Sequence, residues 1–67
     1  MRLSDIPNNI GKTVTIGGGD IAIRSELRSM VFNEEPLTIV KITKGGEVYL
    51  QKDNKFYTVP ARYVHLG

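Results

Sequence analysis

The residue types that support catalysis are sparse in this 67-residue chain. His65 is the only histidine and there is no cysteine, so these two residue types offer a metal ion one ligand at most. No serine has a histidine near it in the sequence, and the adjacent carboxylates Glu34 and Glu35 stand in a segment where solvation is their usual fate. The pattern predicts a protein that is not an enzyme and that uses no metal and no cofactor.

Positive charge is concentrated in the second half of the chain. Residues 1–35 carry four cationic and five acidic side chains, whereas residues 36–67 carry five cationic and two acidic ones. Such a half could attract an anionic partner, and the alternative is that its lysines are simply solvated near turns and strand edges. A nucleic-acid interface would place cations on phosphates and would stack Tyr49, Phe56 or Tyr57 on bases. The cations concerned are Lys41, Lys44, Lys52, Lys55 and Arg62.

Length and composition predict one small intracellular domain. A chain of 67 residues has a thin core, because folding buries only about 60% of the surface that the unfolded chain exposes. The first residues lack the apolar segment of a secretory signal, and no run approaches the roughly 20 apolar residues that span a bilayer. We therefore expect a single domain over residues 1–67, located in the cytoplasm and not in a membrane.

The elements that would position the aromatic and cationic side chains are clearest between Pro36 and Leu66. Runs rich in β-formers flank two candidate two-residue turns, Gly45-Gly46 and Asp53-Asn54, whose residues tolerate positive φ. This spacing predicts three antiparallel strands in a meander. A short helical turn and a closing strand are expected to follow.

The first half of the chain is less regular. Residues 3–10 permit a short helical turn, and the β-branched run at 12–16 predicts the first strand. The glycine triplet after it lacks the residues of a phosphate-binding loop, which favours a flexible turn. In the segment 20–32, Ile23, Leu27 and Met30 have helical spacing, but the beginning of the segment alternates as a strand does. We expect a long, partly extended loop here, with a helical turn capped by Asp20 as the alternative.

The predicted turns set a register that divides the meander into two faces. The core face is predicted to hold Leu37, Ile39, Val48, Leu50, Tyr57 and Val59, with Lys41 and Lys52 toward the turns. The other face carries Val40, Ile42, Tyr49 and Phe56, with Ile42 opposite Tyr49, and is more apolar than a solvated surface requires. The segment 20–32 is expected to cover part of this face, and a partner or a second copy is the alternative cover.

The segment Tyr57–Val64, YTVPARYV, resembles the carboxyl end of SH3 domains, where hydrophobic–Pro–Ser–Asn–Tyr–Val forms the last turn and strand. The matching residues are Val59, Pro60, Tyr63 and Val64. Positions 61 and 62 hold Ala-Arg in place of Ser-Asn, and the tryptophan of the family's peptide groove is absent. The resemblance implies that Pro60 and Tyr63 are ligand residues. The alternative is a rigid turn with a half-buried ring.

These patterns together predict an all-β fold, a small SH3-like barrel of about five antiparallel strands. A long loop would follow the first strand, and a short helical turn would stand near the C-terminus. The predicted function is a non-catalytic module that binds a protein partner, such as a bacterial or phage accessory protein. The partner-binding residues would be Tyr49, Phe56, Ile42, Val40, Pro60 and Tyr63. The alternatives are a nucleic-acid-binding barrel that uses the basic meander and a structural subunit that assembles as a homo-oligomer.

Overall fold

The computed structural model describes residues 1–66, which form a five-stranded antiparallel sheet with short helices. The elements in chain order are a 3₁₀ turn at Leu3–Asn9, β1 at Thr13–Ile16, a 3₁₀ turn at Ile21–Ile23, α1 at Ser25–Phe32, β2 at Leu37–Ile42, β3 at Val48–Lys52, β4 at Lys55–Val59, a 3₁₀ turn at Ala61–Tyr63 and β5 at Val64–Leu66. The strand order is β4-β3-β2-β1-β5. The structure thus confirms the first strand, the meander and the helical turn before the closing strand, and it leaves β4 and β5 as the edges of the sheet.

One hydrophobic cluster lies between the sheet and the helical segments. Its buried members are Ile6, Val14, Ile16, Ile21, Leu27, Met30, Leu37, Ile39, Val48, Leu50, Val59, Ala61 and Val64. The predicted core face of the meander is therefore confirmed at its aliphatic positions, and Tyr57 packs against the cluster half-buried. Burial of these side chains is the main force that holds so small a sheet together.

The segment 20–32 is helical, and the expectation of an extended loop is wrong. A 3₁₀ turn leads into α1, whose Leu27 and Met30 lie three residues apart on the face that enters the core. Arg24 rather than Asp20 is the N-cap residue of α1, and neither side chain caps a helix. The segment is helical despite the alternating pattern at its beginning, because the helical conformation buries these two side chains together with Ile21. It therefore covers the core and not the opposite face of the meander.

The turn between β2 and β3 is one residue longer than the glycine pair predicts. The Thr43 amide donates to the Glu47 carbonyl at 2.8 Å, and the Gly46 amide donates to the Thr43 carbonyl at 3.0 Å. Gly46 has a φ of 80°, which is the left-handed position of a three-residue hairpin loop. The second turn is confirmed, because Lys52 pairs with Lys55 across two residues.

A β-bulge in β2 compensates for the longer turn. Ile39 pairs with Leu50 but Lys41 pairs with Tyr49, so Val40 is the extra residue between them. Beyond the bulge the alternation of side chains is shifted by one residue. Ile42 consequently packs against the core, whereas Lys41 lies opposite Tyr49 on the other face. The predicted positions of both side chains are therefore wrong.

We expect deletion of Val40 to unfold the protein. Without the extra residue the alternation of β2 is continuous, so either the inward side chains before the bulge or the side chain of Ile42 after it must face solvent. Burial of one aliphatic side chain contributes about 1.5–3 kcal/mol to the free energy of unfolding. The matched control Val40→Ala keeps the bulge and should lower the free energy of unfolding by about 1 kcal/mol or less. Urea denaturation followed by circular dichroism measures both variants. Equal stability of the two would show that the bulge is dispensable.

Candidate interaction surface

Two aromatic rings stack on the outer face of the meander, which is the side of β2, β3 and β4 opposite the hydrophobic cluster. The centroids of the Tyr49 and Phe56 rings are 5.3 Å apart and their planes differ by 4°. Tyr49 pairs with Thr58 and Gln51 pairs with Phe56, so the two rings are diagonal neighbours on adjacent strands. Phe56 remains 48% exposed, which leaves apolar ring surface open to a partner.

A lysine extends this stack on the side of Tyr49. The Nζ atom of Lys41 lies 5.5 Å from the centroid of the Tyr49 ring, within reach of a cation–π attraction. No ion pair within residues 1–66 involves Lys41, so its charge is free to meet an anion. We call the Lys41 ammonium group and the rings of Tyr49 and Phe56 the aromatic column.

The predicted partner-binding residues do not all join the aromatic column. Tyr49 and Phe56 form its rings, and Val40 occupies the bulge beside it, half-buried. Ile42 belongs to the core instead. Lys41 was not predicted to join Tyr49 and Phe56, because the register set by a two-residue turn places its side chain on the core face.

Pro60 and Tyr63 lie at the 3₁₀ turn between β4 and β5, away from the aromatic column. The Tyr63 carbonyl accepts a hydrogen bond from the Gly17 amide at 2.9 Å, and the Arg62 guanidinium lies 4.7 Å from the Tyr63 ring centroid. A Cβ atom added at Gly19, where φ is +52°, would lie 3.4 Å from Cε1 of Tyr63. The ring is thus half-buried against the glycine-rich loop and is stacked by Arg62, so it is not part of the aromatic column.

The five cations proposed to contact nucleic acid are distributed over several surfaces. Lys41 is on the outer face and Lys44 is exposed in the β2–β3 turn. Lys52 is engaged by two carboxylates, with Nζ 2.9 Å from Glu35 and 3.7 Å from Asp53. Lys55 lines a cleft with Lys52, and Arg62 stands on the 3₁₀ turn before β5.

The cleft lies between α1 and the β3–β4 turn and has a volume of about 400 Å³. Its lining is mixed in charge and consists of Glu26, Ser29, Met30, Glu35, Lys52, Asp53, Asn54, Lys55 and Tyr57. The hydrogen bond from Lys52 lowers the pKa of the Glu35 carboxyl below its ordinary value, and the same bond raises the pKa of Lys52. The pair therefore stays ionised at neutral pH and holds the turn against the end of the helical segment.

An arginine that the sequence did not single out reaches the open edge of β4. Nη1 of Arg24 donates to the Thr58 carbonyl at 2.8 Å, while Nε and Nη2 of the same guanidinium contact one oxygen of Glu26 at 3.0 and 2.9 Å. Arg24 is distant from β4 in the sequence, so no local pattern could have predicted this contact.

The chemistry available to this surface is stacking, apolar contact and charge attraction. Within residues 1–66 no group of three or more His, Cys, Asp or Glu side chains is arranged to hold a metal ion. The Nε2 atom of His65 lies 2.9 Å from the Gly17 carbonyl, so this ring links β5 to the glycine-rich loop.

Comparison with protein-family models, with curated proteins and with solved structures gives no match for this chain. No helix within residues 1–66 has the length and apolar character needed to cross a membrane.

The two rings of the aromatic column should be energetically coupled. In a double-mutant cycle with Tyr49→Ala and Phe56→Ala, we expect a coupling of about 0.5–1.5 kcal/mol in the free energy of unfolding, as stacked aromatic pairs give. Phe56→Ala combined with Phe32→Ala is the control, because Phe32 is an exposed ring on α1 with no stacking partner among the described residues. Urea denaturation of each variant supplies the values. If the changes in the free energy of unfolding were additive in both cycles, the expected coupling between the Tyr49 and Phe56 rings would be refuted.

The Glu35–Lys52 pair should stabilise the fold less as the solution becomes acidic. The pKa of Glu35 is lower in the folded state than in the unfolded state, so its contribution is present above the unfolded pKa and is lost as pH falls through the folded pKa. The stability difference between wild type and Glu35→Gln should therefore shrink from neutral to acid pH. The neighbouring Glu34→Gln is the control, since Glu34 makes no ion pair within residues 1–66. Thermal denaturation at several pH values measures this, and a constant difference would refute it.

Proposed function

We propose that this protein is a small, non-catalytic module of SH3-like type that binds a protein partner through the outer face of its meander. The order of elements supports the SH3-like assignment: a first strand, a long connection that here contains α1, a meander, a 3₁₀ turn and a last strand that pairs with β1. We place it in the cytoplasm and regard a bacterial or phage accessory protein as the kind of protein that it is.

The observation that carries the proposal is the uncovered aromatic column. Two rings are aligned in parallel on adjacent strands, and within residues 1–66 no other ring stacks on the outer side of Phe56. Tyrosine and phenylalanine are enriched at protein interfaces relative to the rest of the surface, and tyrosine is among the residue types that contribute most of the binding energy. Stacking restricts the rotamers of both rings, so binding would lose less side-chain entropy than it would with two independent rings.

A protein partner is favoured over nucleic acid by the placement of the cations. Lys52 is neutralised by Glu35 and Asp53, and Arg62 is stacked on Tyr63, which leaves Lys41, Lys44 and Lys55 on separate elements. A backbone-tracking groove needs several free cations along one path. Polarisation assays with single-stranded oligonucleotides at low ionic strength separate the two functions, because phosphate-mediated binding would be strong there and would fall steeply with added salt.

A homo-oligomeric subunit is the other alternative, in which the aromatic column packs against a second copy. Light scattering over a range of protein concentrations distinguishes it. A monomer at high concentration supports the module, and a defined oligomer that Phe56→Ala dissociates supports the subunit.

Removal of either ring should abolish partner capture. We expect Tyr49→Ala and Phe56→Ala to lower the amount of protein retained from lysate by about tenfold or more, since aromatic residues at the centre of an interface carry much of the binding energy. Affinity capture with quantitative mass spectrometry makes the measurement. Phe32→Ala is the matched control, because it removes a ring that is 72% exposed but lies on α1, and it should leave capture unchanged.

Circular dichroism must show that each variant is folded before the captured amounts are compared. Partners that persist in both Tyr49→Ala and Phe56→Ala would place the interface elsewhere. Partners lost only in Phe32→Ala would assign it to the exposed side of α1.

A further inference from the structure

The β4 strand presents unpaired main-chain groups at the open edge of the sheet. It is the terminal strand, with β3 on one side only. The Lys52–Lys55 pair closes a two-residue turn, so main-chain hydrogen bonds to β3 recur at every second residue from Lys55. The N–H and C=O groups of Phe56 and Thr58 therefore face away from β3. The contact between the Thr58 carbonyl and Arg24 agrees with this direction.

Arg24 occupies this edge from outside the sheet. Its guanidinium holds the Thr58 carbonyl at 2.8 Å and is itself held by Glu26 at 2.9 Å. A charged side chain over an edge strand is a common protection against unwanted strand pairing. Side-chain contacts of this kind are exposed and exchangeable, so a competing main-chain donor can replace them.

We propose that the partner binds as an extended acidic segment that pairs with the edge of β4 as a sixth strand and places an aromatic residue against Phe56. This inference rests on the proposed function, since the aromatic column forms the side-chain part of the same site. A residue directly across from Phe56 on an added strand lies on the outer face and continues the stack beyond its open ring surface.

The cationic side chains around the β4 edge favour an acidic segment over a basic one. Strand addition displaces Nη1 of Arg24 from the Thr58 carbonyl, and a carboxylate on the incoming segment gives Nη1 a new acceptor while Nε and Nη2 stay on Glu26. Lys55 at the beginning of β4 and Lys41 in the aromatic column have no carboxylate partner within residues 1–66. The cations at this site therefore match an anionic partner and repel a basic one.

The other edge of the sheet is less suited to such a partner. Among the described residues β5 spans Val64–Leu66 and β4 spans Lys55–Val59. The hydrogen bond from the Met1 amino group to the Val64 carbonyl, at 2.7 Å, is partly buried, whereas the Arg24 contact on β4 is exposed. The rings of the aromatic column are on β3 and β4, so within residues 1–66 it is the β4 edge that combines an open ring with main-chain groups not paired to another strand.

Fluorescence polarisation with short labelled peptides tests this inference. The probe is an acetylated peptide of alternating valines with a central tyrosine and glutamates at both ends, and the matched peptide carries lysines in place of the glutamates. We expect the acidic peptide to bind at least about tenfold more tightly. N-methylation of alternate amides should weaken binding about tenfold for the set that faces β4 and leave it within about twofold for the other set.

Protein variants assign the contacts. Arg24→Ala should reduce the preference for the acidic peptide, whereas Arg28→Ala, which removes an exposed arginine that bonds the Ala22 carbonyl, should not. Equal effects of the two N-methyl sets would overturn strand addition, as would failure of the acidic peptide to bind. Shifts of the Phe56 and Thr58 amide signals with protein concentration alone would make a second copy the occupant and also overturn it. The capture experiment with Phe56→Ala decides the proposed function separately, because it does not depend on main-chain pairing.

Discussion

The extra residue in β2 is the constraint on which the rest of the sheet depends. A three-residue turn after β2 would by itself reverse the inward and outward positions of one strand relative to the other. The bulge at Val40 restores the match, so Leu37 and Ile39 before it and Ile42 after it all contribute to the same core. The same shift places Lys41 opposite Tyr49, so the aromatic column and the core follow from one local irregularity.

Both edges of the sheet are occupied by positively charged donors. Arg24 bonds the Thr58 carbonyl on β4, and the Met1 amino group bonds the Val64 carbonyl on β5. Short sheets with free edges tend to pair with other chains, and charged groups at the edge reduce that tendency. The arrangement on β4 differs because the guanidinium contact is exposed and its acceptor, Thr58, is two residues from the exposed ring of Phe56 on the same strand. The contact that protects β4 thus lies on the same strand as the exposed ring of the aromatic column.

The strands and the inward positions of the meander were predictable because their signals are local. Alternation of aliphatic residues and the Asp53-Asn54 turn indicate the β3–β4 hairpin directly, and its register is as expected. The Gly45-Gly46 pair was misleading, because two glycines fit both a two-residue turn and the end of a three-residue loop. Within segment 20–32 the helical spacing was visible, but the choice between helix and loop depended on burial against strands far away in sequence.

The sequence by itself determined the number of strands and their positions along the chain, the aliphatic core of the meander and the presence of two outer aromatic residues, since each depends on residue type and a period of two. Only the tertiary structure decided that Ile42 turns inward, that Lys41 joins the two rings and that Arg24 reaches β4. The physical reason is that a bulge, like a contact between distant residues, depends on how packed elements bury their side chains and complete their hydrogen bonds. Neither feature leaves a periodic pattern in the sequence.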